Sequence, residues 1–343
     1  MCFRSLDLMR LRADRELAML ALLDHSITGA RPPGRDEPGT HEASSISATV
    51  SRLSTWVVPA YAKLNLSLEV VARRADGWHD IDSVLVPIDW HDLVGLSVEL
   101  AGTDRLALNV DGPAADGVPD GESNLTARAA QALRELAGRP LAIRVWLSKS
   151  VPHGAGLGGG SADAAAVLRA GIVRLAELGT AVDSDRAASL ALAIGSDVPA
   201  LLSMSAQRVR GRGDRLEPVR TPQLHLAIAA TTPSSTADTY AAVAPGEILD
   251  DGRSARLARL LDAGQAPEPS LMGSALEPAA CRVNPVLADA LRRARQVIDG
   301  VDWYLTGSGG AVFAVTPDHA AAERLAVAMR RAGYTARACR TVG

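Results

Sequence analysis

Residues 149–166, KSVPHGAGLGGGSADAAA, set five glycines within Gly154–Gly160, directly before an alanine-rich segment. Glycine loses more conformational entropy on folding than any other residue, so such a cluster is kept where backbone N–H groups must approach something closely. An apolar strand, LAIRVWL (Leu141–Leu147), precedes it, and a helix is predicted to follow over Ala162–Leu178. Ser161 falls in the first turn of that helix and Asp163 just inside it. The unpaired N–H groups and positive macrodipole end of a helix N-terminus favour an anion. The stretch therefore reads as a phosphate-binding loop. A flexible linker would not run straight from an apolar strand into a long amphipathic helix.

Two familiar phosphate loops are excluded. A Walker loop carries Lys and then Ser or Thr after its last glycine, whereas here the only nearby lysine, Lys149, lies upstream. A dinucleotide fingerprint is nominally present as Gly154-x-Gly156-x-x-Gly159. However, it follows Pro152-His153 rather than a strand end, and Glu177 closes the same helix instead of following a second strand.

Composition sets broad limits. The chain has 343 residues, 47% of them hydrophobic, enough for two ordinary domains with their own cores. A net charge of −3 gives no general attraction to nucleic acid or anionic membrane. Cys2, Cys281 and Cys339 are too widely spaced for a zinc site or a disulfide framework, so a reducing cytoplasm is the expected compartment. No segment is long and apolar enough to span a bilayer. Residues 1–25 have helical character. Residues 28–55 are rich in Gly, Pro, Ser and Thr without periodicity and read as disordered. The first 55 residues are thus expected to be either a largely disordered extension ahead of the folded body or the product of an over-long gene reading.

Folding signals begin at Trp56. Two strands joined by an Ala75-Asp76-Gly77 turn are predicted, then strands at Leu93–Leu100 and Arg105–Val110 and a helix from Leu125 to about Ala137. Lys63, set among Leu64, Leu66 and Leu68, is an unusual residue for an apolar strand; on its own it reads as an edge lysine with its head in solvent. Asn124 precedes the helix at Leu125 and reads as its N-cap. Asp197 stands between Gly195 and Pro199, where a helix stops. RVRGRGDRLEPVR carries five arginines between Arg208 and Arg220 and reads as a solvated hairpin.

The pattern P-x-x-x-G-L-G-G-G-S-x-D-A-A-A, from Pro152 to Ala166, resembles the phosphate loop of the GHMP small-molecule kinases. The segments P-A-x-A-K-L-N-L and R-R-A-D-G-W-H resemble the family's opening hairpin. Gly195-Ser196-Asp197-Val198-Pro199 resembles its G-A-D-V-P segment, Gly211–Leu216 its G-x-G-E-x-L turn, and Thr306–Gly310 its S-G-S-G turn. The likeness covers roughly residues 57–340. It departs from the pattern at Ser196, at Ala200-Leu201 where two phenylalanines are usual, and at Asp214 in place of Glu.

The resemblance implies a two-domain α+β fold, with an ATP-binding domain over 56–210 and a C-terminal domain over 211–343. It implies ATP as co-substrate with Mg2+. Asn124, Lys149, Pro152, His153, Gly154, Ala155, Gly156, Leu157, Gly158, Gly159, Gly160, Ser161 and Ala162 would bind the nucleotide, with Ser161 also within reach of the metal. Asp197 would be the catalytic base and Lys63 its partner. Asn65, Trp78, His79 and Tyr240 would hold the acceptor, the last closing an S-T-x-x-x-Y segment. The R-A-D-G-W-H segment narrows the expected partner to a small molecule with a cytidine diphosphate head, as used in non-mevalonate isoprenoid synthesis. A mevalonate, homoserine or sugar kinase remains open at this point, as does a nucleotide-binding relative that has lost catalysis.

Overall fold

The computed structural model describes residues 55–297 and 300–342. The expectations for residues 1–54 lie outside them. Strands β1 (Trp56–Arg73) and β2 (His79–Leu100) form the predicted hairpin, but the second arm is one long strand where two had been expected. β3 (Arg105–Asp111), helix α1 (Leu125–Ala137), β4 (Leu141–Ser148), helix α2 (Gly159–Glu177) and helix α3 (Ser184–Ile194) follow as predicted, to within a few residues. A short helix α4 (Val198–Leu202) begins immediately after Asp197.

The length of β2 organises the first sheet. Residues 93–100 of β2 pair with β4, and residues 81–85 pair with β5 (Gln207–Gly211), so one strand serves two neighbours in succession. β4 buries Leu141, Ile143, Val145 and Leu147 in alternation, as a strand with one covered face must. α1 and α2 lie on that face. The alanines that fill α2 let it come close to its neighbours, and Gly171 sits directly against Leu133 of α1.

The arginine-rich hairpin, β5 with β6 (Arg215–Pro218), belongs to the first sheet. The boundary expected at 210/211 therefore cuts a strand pair, and the second sheet starts only with β7 (His225–Ala230). Sequence reading placed the break in the glycines of the turn; the ladder to β2 overrides that local signal. After β7 come helices α5 (Thr236–Ala241) and α6 (Arg253–Asp262), strand β8 (Gly273–Ser274), and helices α7 (Glu277–Val283) and α8 (Pro285–Val297). Strands β9 (Tyr304–Leu305) and β10 (Ala311–Thr316), helix α9 (His319–Arg331) and strand β11 (Thr335–Arg340) close the fold. The second sheet runs β11-β7-β10-β9, and β8 crosses back to pair with β1. An apolar layer including Leu64, Leu66, Val86, Leu226, Ile228 and Phe313 fills the space between the two sheets. Among the described residues, no helix is long and apolar enough to cross a membrane.

Candidate active site

The phosphate loop is carried between β4 and α2 and is propped from beneath. Lys149, buried where β4 ends, places its ammonium 2.5 Å from Asp92 and 2.7 Å from Asp163. Asp92 Oδ1 also accepts from the backbone N–H groups of Ser150 and Val151. Lys149, expected among the ATP contacts, is thus held by two carboxylates under the loop. Its sequence signal, a lysine at a strand end, is identical for the two roles. Asn124, the other polar side chain expected at the nucleotide, caps α1: its Oδ1 accepts from Thr126 N and its Nδ2 donates to the Pro119 carbonyl.

Burial pushes the Asp163 carboxyl up to about 7, against the pull of the Lys149 charge and helped by the negative charge of Asp92. The unfolded chain titrates this group near ~3.9. A raised folded-state value means the proton favours the fold, a contribution complete below about pH 4 and lost by about pH 7. Asp163→Asn mimics the neutral form at every pH. Its Tm relative to the parent chain should therefore rise between about pH 4 and pH 7 and stay level above. A difference that is flat across that window would show that Asp163 is ionised throughout.

Within the loop, Ala155 and Leu157 are buried anchors and Gly160 is exposed, so the apolar side chains pin the backbone and leave its outer surface open. Gly156, at φ +70°, lies on the second glycine loop, 306–310; a Cβ there would come 2.2 Å from the Gly309 carbonyl oxygen. Gly158 caps α2 with no side chain bonded to the first turn. Ser161 borders Gly195, the residue two before Asp197, while Pro152 and His153 form the loop's outer flank and Ala162 is buried behind it.

Lys63 is brought to this loop by an irregularity in β1. The β1–β2 register shifts between Tyr61 and Lys63 and again between Asn65 and Ser67, so bulges bracket the segment and re-aim its side chains. The freed Lys63 N–H donates to the Leu157 carbonyl of the phosphate loop at 2.9 Å. The Lys63 side chain is buried, and its Nζ donates to Asn65 Oδ1 at 2.7 Å and lies 3.4 Å from Asp197 Oδ2. Asp197 is 37% exposed and makes no capping bond to α4, which leaves its carboxylate facing the lysine and solvent.

Asn65, expected to hold the acceptor, is buried and bonded within the protein. Its Nδ2 donates to Ser83 Oγ, and its backbone N–H donates to Thr306 Oγ1, so it orients Lys63. Ser83 and Thr306 were not foreseen, because nothing in a single sequence marks a serine or threonine as the partner of a distant amide.

The aromatic groups gather on the other side of Asp197. His79, buried at the start of β2, lies 5.4 Å ring to ring from Tyr240 of α5. Burial, then the charge of Arg73, lowers the His79 imidazole, favouring its neutral form. Burial, then the nearby charge of Asp197, pushes the Tyr240 phenol far above its ordinary range. The phenol therefore stays protonated. Trp78 is half exposed and stacks under the Arg212 guanidinium at 4.0 Å rather than against Tyr240.

This arrangement joins an anion cradle, a carboxylate–ammonium pair and an aromatic pocket, the parts a small-molecule kinase needs. Residues 124–204 match the family model described as GHMP kinases N terminal domain, and residues 247–335 the one described as GHMP kinases C terminal. The 4-diphosphocytidyl-2-C-methyl-D-erythritol kinase of Pelotomaculum thermopropionicum is 35% identical over 277 residues, 79% of this chain and 93% of that protein. The chain belongs to the 4-diphosphocytidyl-2-C-methyl-D-erythritol kinase family of GHMP kinases. A crystal structure of a 4-(cytidine 5'-diphospho)-2C-methyl-D-erythritol kinase superposes with a TM-score of 0.68 at 33% identity, covering 84% of this chain and all of that one. A homoserine kinase from Cytophaga hutchinsonii, at 18% identity and a TM-score of 0.56 over 82% of this chain and 94% of that one, shares the fold alone. Membership of this family makes the protein an ATP-dependent small-molecule kinase with the expected α+β architecture.

Proposed function

We propose that the protein transfers the γ-phosphoryl group of ATP to the 2-hydroxyl of 4-diphosphocytidyl-2-C-methyl-D-erythritol, within non-mevalonate isoprenoid precursor synthesis. The observation that carries the reading is the Lys63–Asp197 pair, 3.4 Å apart beside the phosphate loop and within the field of Tyr240. Backbone amides of Gly154–Ser161 hold the ATP phosphates at the start of α2. Asp197 accepts the proton of the attacking hydroxyl, while Lys63, fixed by Asn65, keeps the carboxylate aimed. His79 and Tyr240 hold the pyrimidine of the acceptor.

Among the described residues, no group of three or more His, Cys, Asp or Glu side chains forms a metal cage. That donor set fits Mg2+ entering on the nucleotide, since Mg2+ is commonly held by one or two protein oxygens plus substrate phosphates. Ser161 Oγ would join it from the first turn of α2, and the ion would neutralise charge on the transferring phosphoryl. A relative without catalysis would have no use for a buried lysine poised on a half-exposed carboxylate, and both are present.

The test is ADP release by purified protein with ATP, Mg2+ and a panel of cytidylylated and free polyol phosphates. The cytidylylated methylerythritol should be used far faster than free methylerythritol phosphate; equal use of the two would reject the assignment. On the same reading, Tyr240→Ala should weaken acceptor binding by roughly 1–3 kcal/mol, the usual range for a base stacked on an aromatic ring, with ATP KM unmoved. An unchanged acceptor KM would remove Tyr240 from the pocket.

A further inference from the structure

The arginines of the hairpin are held in different ways. Arg208 is paired with Asp82 at 2.5 Å, and Arg210 is paired with Glu217. Arg212 differs. Among the described residues it makes no ion pair, and its Nε is buried without a hydrogen-bond partner. The acid at the tip of the first hairpin, Asp76, is already bonded to Arg74 at 3.1 Å.

Arg212 is nonetheless held firmly. Its backbone N–H donates to Asp214 Oδ1 at 2.8 Å, so the Asp that replaces the usual Glu still closes the turn. Gly213, at φ +101°, is pressed on the loop before α4, where a Cβ would lie 2.4 Å from the Ser196 carbonyl oxygen. The guanidinium then lies over Trp78, the residue before His79. One end of the Arg212–Trp78 pair is therefore fixed one residue from Asp197, and the other one residue from the His79–Tyr240 contact.

We propose that Arg212, laid flat on Trp78, is a specificity-determining residue that grips the diphosphate of the acceptor; this rests on the cytidine diphosphate reading above. The chemistry favours an anion. A guanidinium over an indole face keeps its in-plane N–H donors available, and these match phosphate oxygens in pairs. Such an acceptor carries its phosphates between the base and the hydroxyl that reacts, and the Arg212–Trp78 pair is tied through its chain neighbours to both the His79–Tyr240 contact and the Ser196–Asp197 loop. Lys63 cannot neutralise that charge, because it is committed to Asn65 and Asp197. Arg73, the other cation near His79, is exposed and has no stacking partner among the described residues.

The experiment compares the full chain with Arg212→Ala, Arg212→Lys and Trp78→Ala, after thermal melts have established that each folds. Acceptor KM and ATP KM are measured at low and high salt. Binding of cytidine 5'-diphosphate and of cytidine is titrated with the ATP site filled by a non-hydrolysable ATP analogue. Arg212→Ala should raise acceptor KM about 10- to 100-fold, the usual loss of hydrogen bonds to a charged group, and abolish most of its salt dependence. ATP KM should not move. Arg212→Lys should recover only part of the loss, because a point charge neither forks nor stacks. The parent chain should prefer cytidine diphosphate over cytidine, and Arg212→Ala should not. Trp78→Ala should weaken cytidine diphosphate more than cytidine and add little when combined with Arg212→Ala. An unchanged acceptor KM, or an undiminished preference for the diphosphate in Arg212→Ala, overturns the proposal. Failure of the parent chain to phosphorylate the cytidine diphosphate acceptor at all rejects the acceptor reading instead. The binding preference still decides the role of Arg212 in that case.

Discussion

Asp197→Asn should leave a folded protein that binds ATP and has lost about 10²–10⁴-fold in turnover, the usual cost of removing a general base. The expectation follows from where the carboxylate sits. It makes no capping bond to α4 and is 37% exposed, so the helix that follows does not depend on it, and Asn65 Oδ1 still accepts from Lys63. The amide is nearly isosteric and can still accept a hydrogen bond from Lys63, but it cannot take a proton from an alcohol. Lys63→Met should be comparably damaging. The double variant should be little worse than either single one, because the two groups act as one unit. Single-turnover kinetics with a parallel measurement of nucleotide affinity would check this. Parental turnover in the Asn variant would remove Asp197 from the chemistry.

The second large effect is expected from a residue with no side chain. Gly156→Ala would force a Cβ to within 2.2 Å of the Gly309 carbonyl oxygen, and it would do so at φ +70°, a left-handed conformation. Each of these faults costs about 1–3 kcal/mol, so a loss of several kcal/mol in stability is expected. Neither can be relieved by rotating a side chain, since the obstacle is backbone. The phosphate loop and loop 306–310 would have to separate. ATP affinity should fall with stability, as read by chemical denaturation and nucleotide titration. A variant with parental values in both would show that the two loops are free to part.

The features legible in the sequence share a physical basis. Glycine density, strand alternation and helix start signals are local, and they located the phosphate loop, β4, α1, α2 and α3 within a few residues. The resemblance carried Asp197 and Lys63, yet no spacing in the chain could reveal that residues 134 positions apart meet at 3.4 Å. Lys149 and Asn124 each carry a signal that fits two roles. A buried lysine between two aspartates and a lysine beside a nucleotide have the same sequence signature, and a capping asparagine looks like any asparagine before a helix. Asp92, Ser83 and Thr306 were invisible because their partners are chosen by the tertiary fold. Arg212 was read with its neighbours as a solvated run, and only its position over the Trp78 ring sets it apart.

The return of β8 to the edge of β1 has a consequence for the molecule as a whole. Ala275 N–H donates to the Leu68 carbonyl, Ser274 Oγ to the Gly307 carbonyl, and Thr306 receives the N–H of Asn65. The segment after residue 219 is thus stitched into the strand that carries Lys63. Neither half has a complete outline without the other: cutting the chain between the sheets would strip β1 of an edge partner and Asn65 of its anchor. The two family domains are divisions of sequence, whereas the mechanical unit is the entire described body, and the lysine that serves the chemistry sits on its seam.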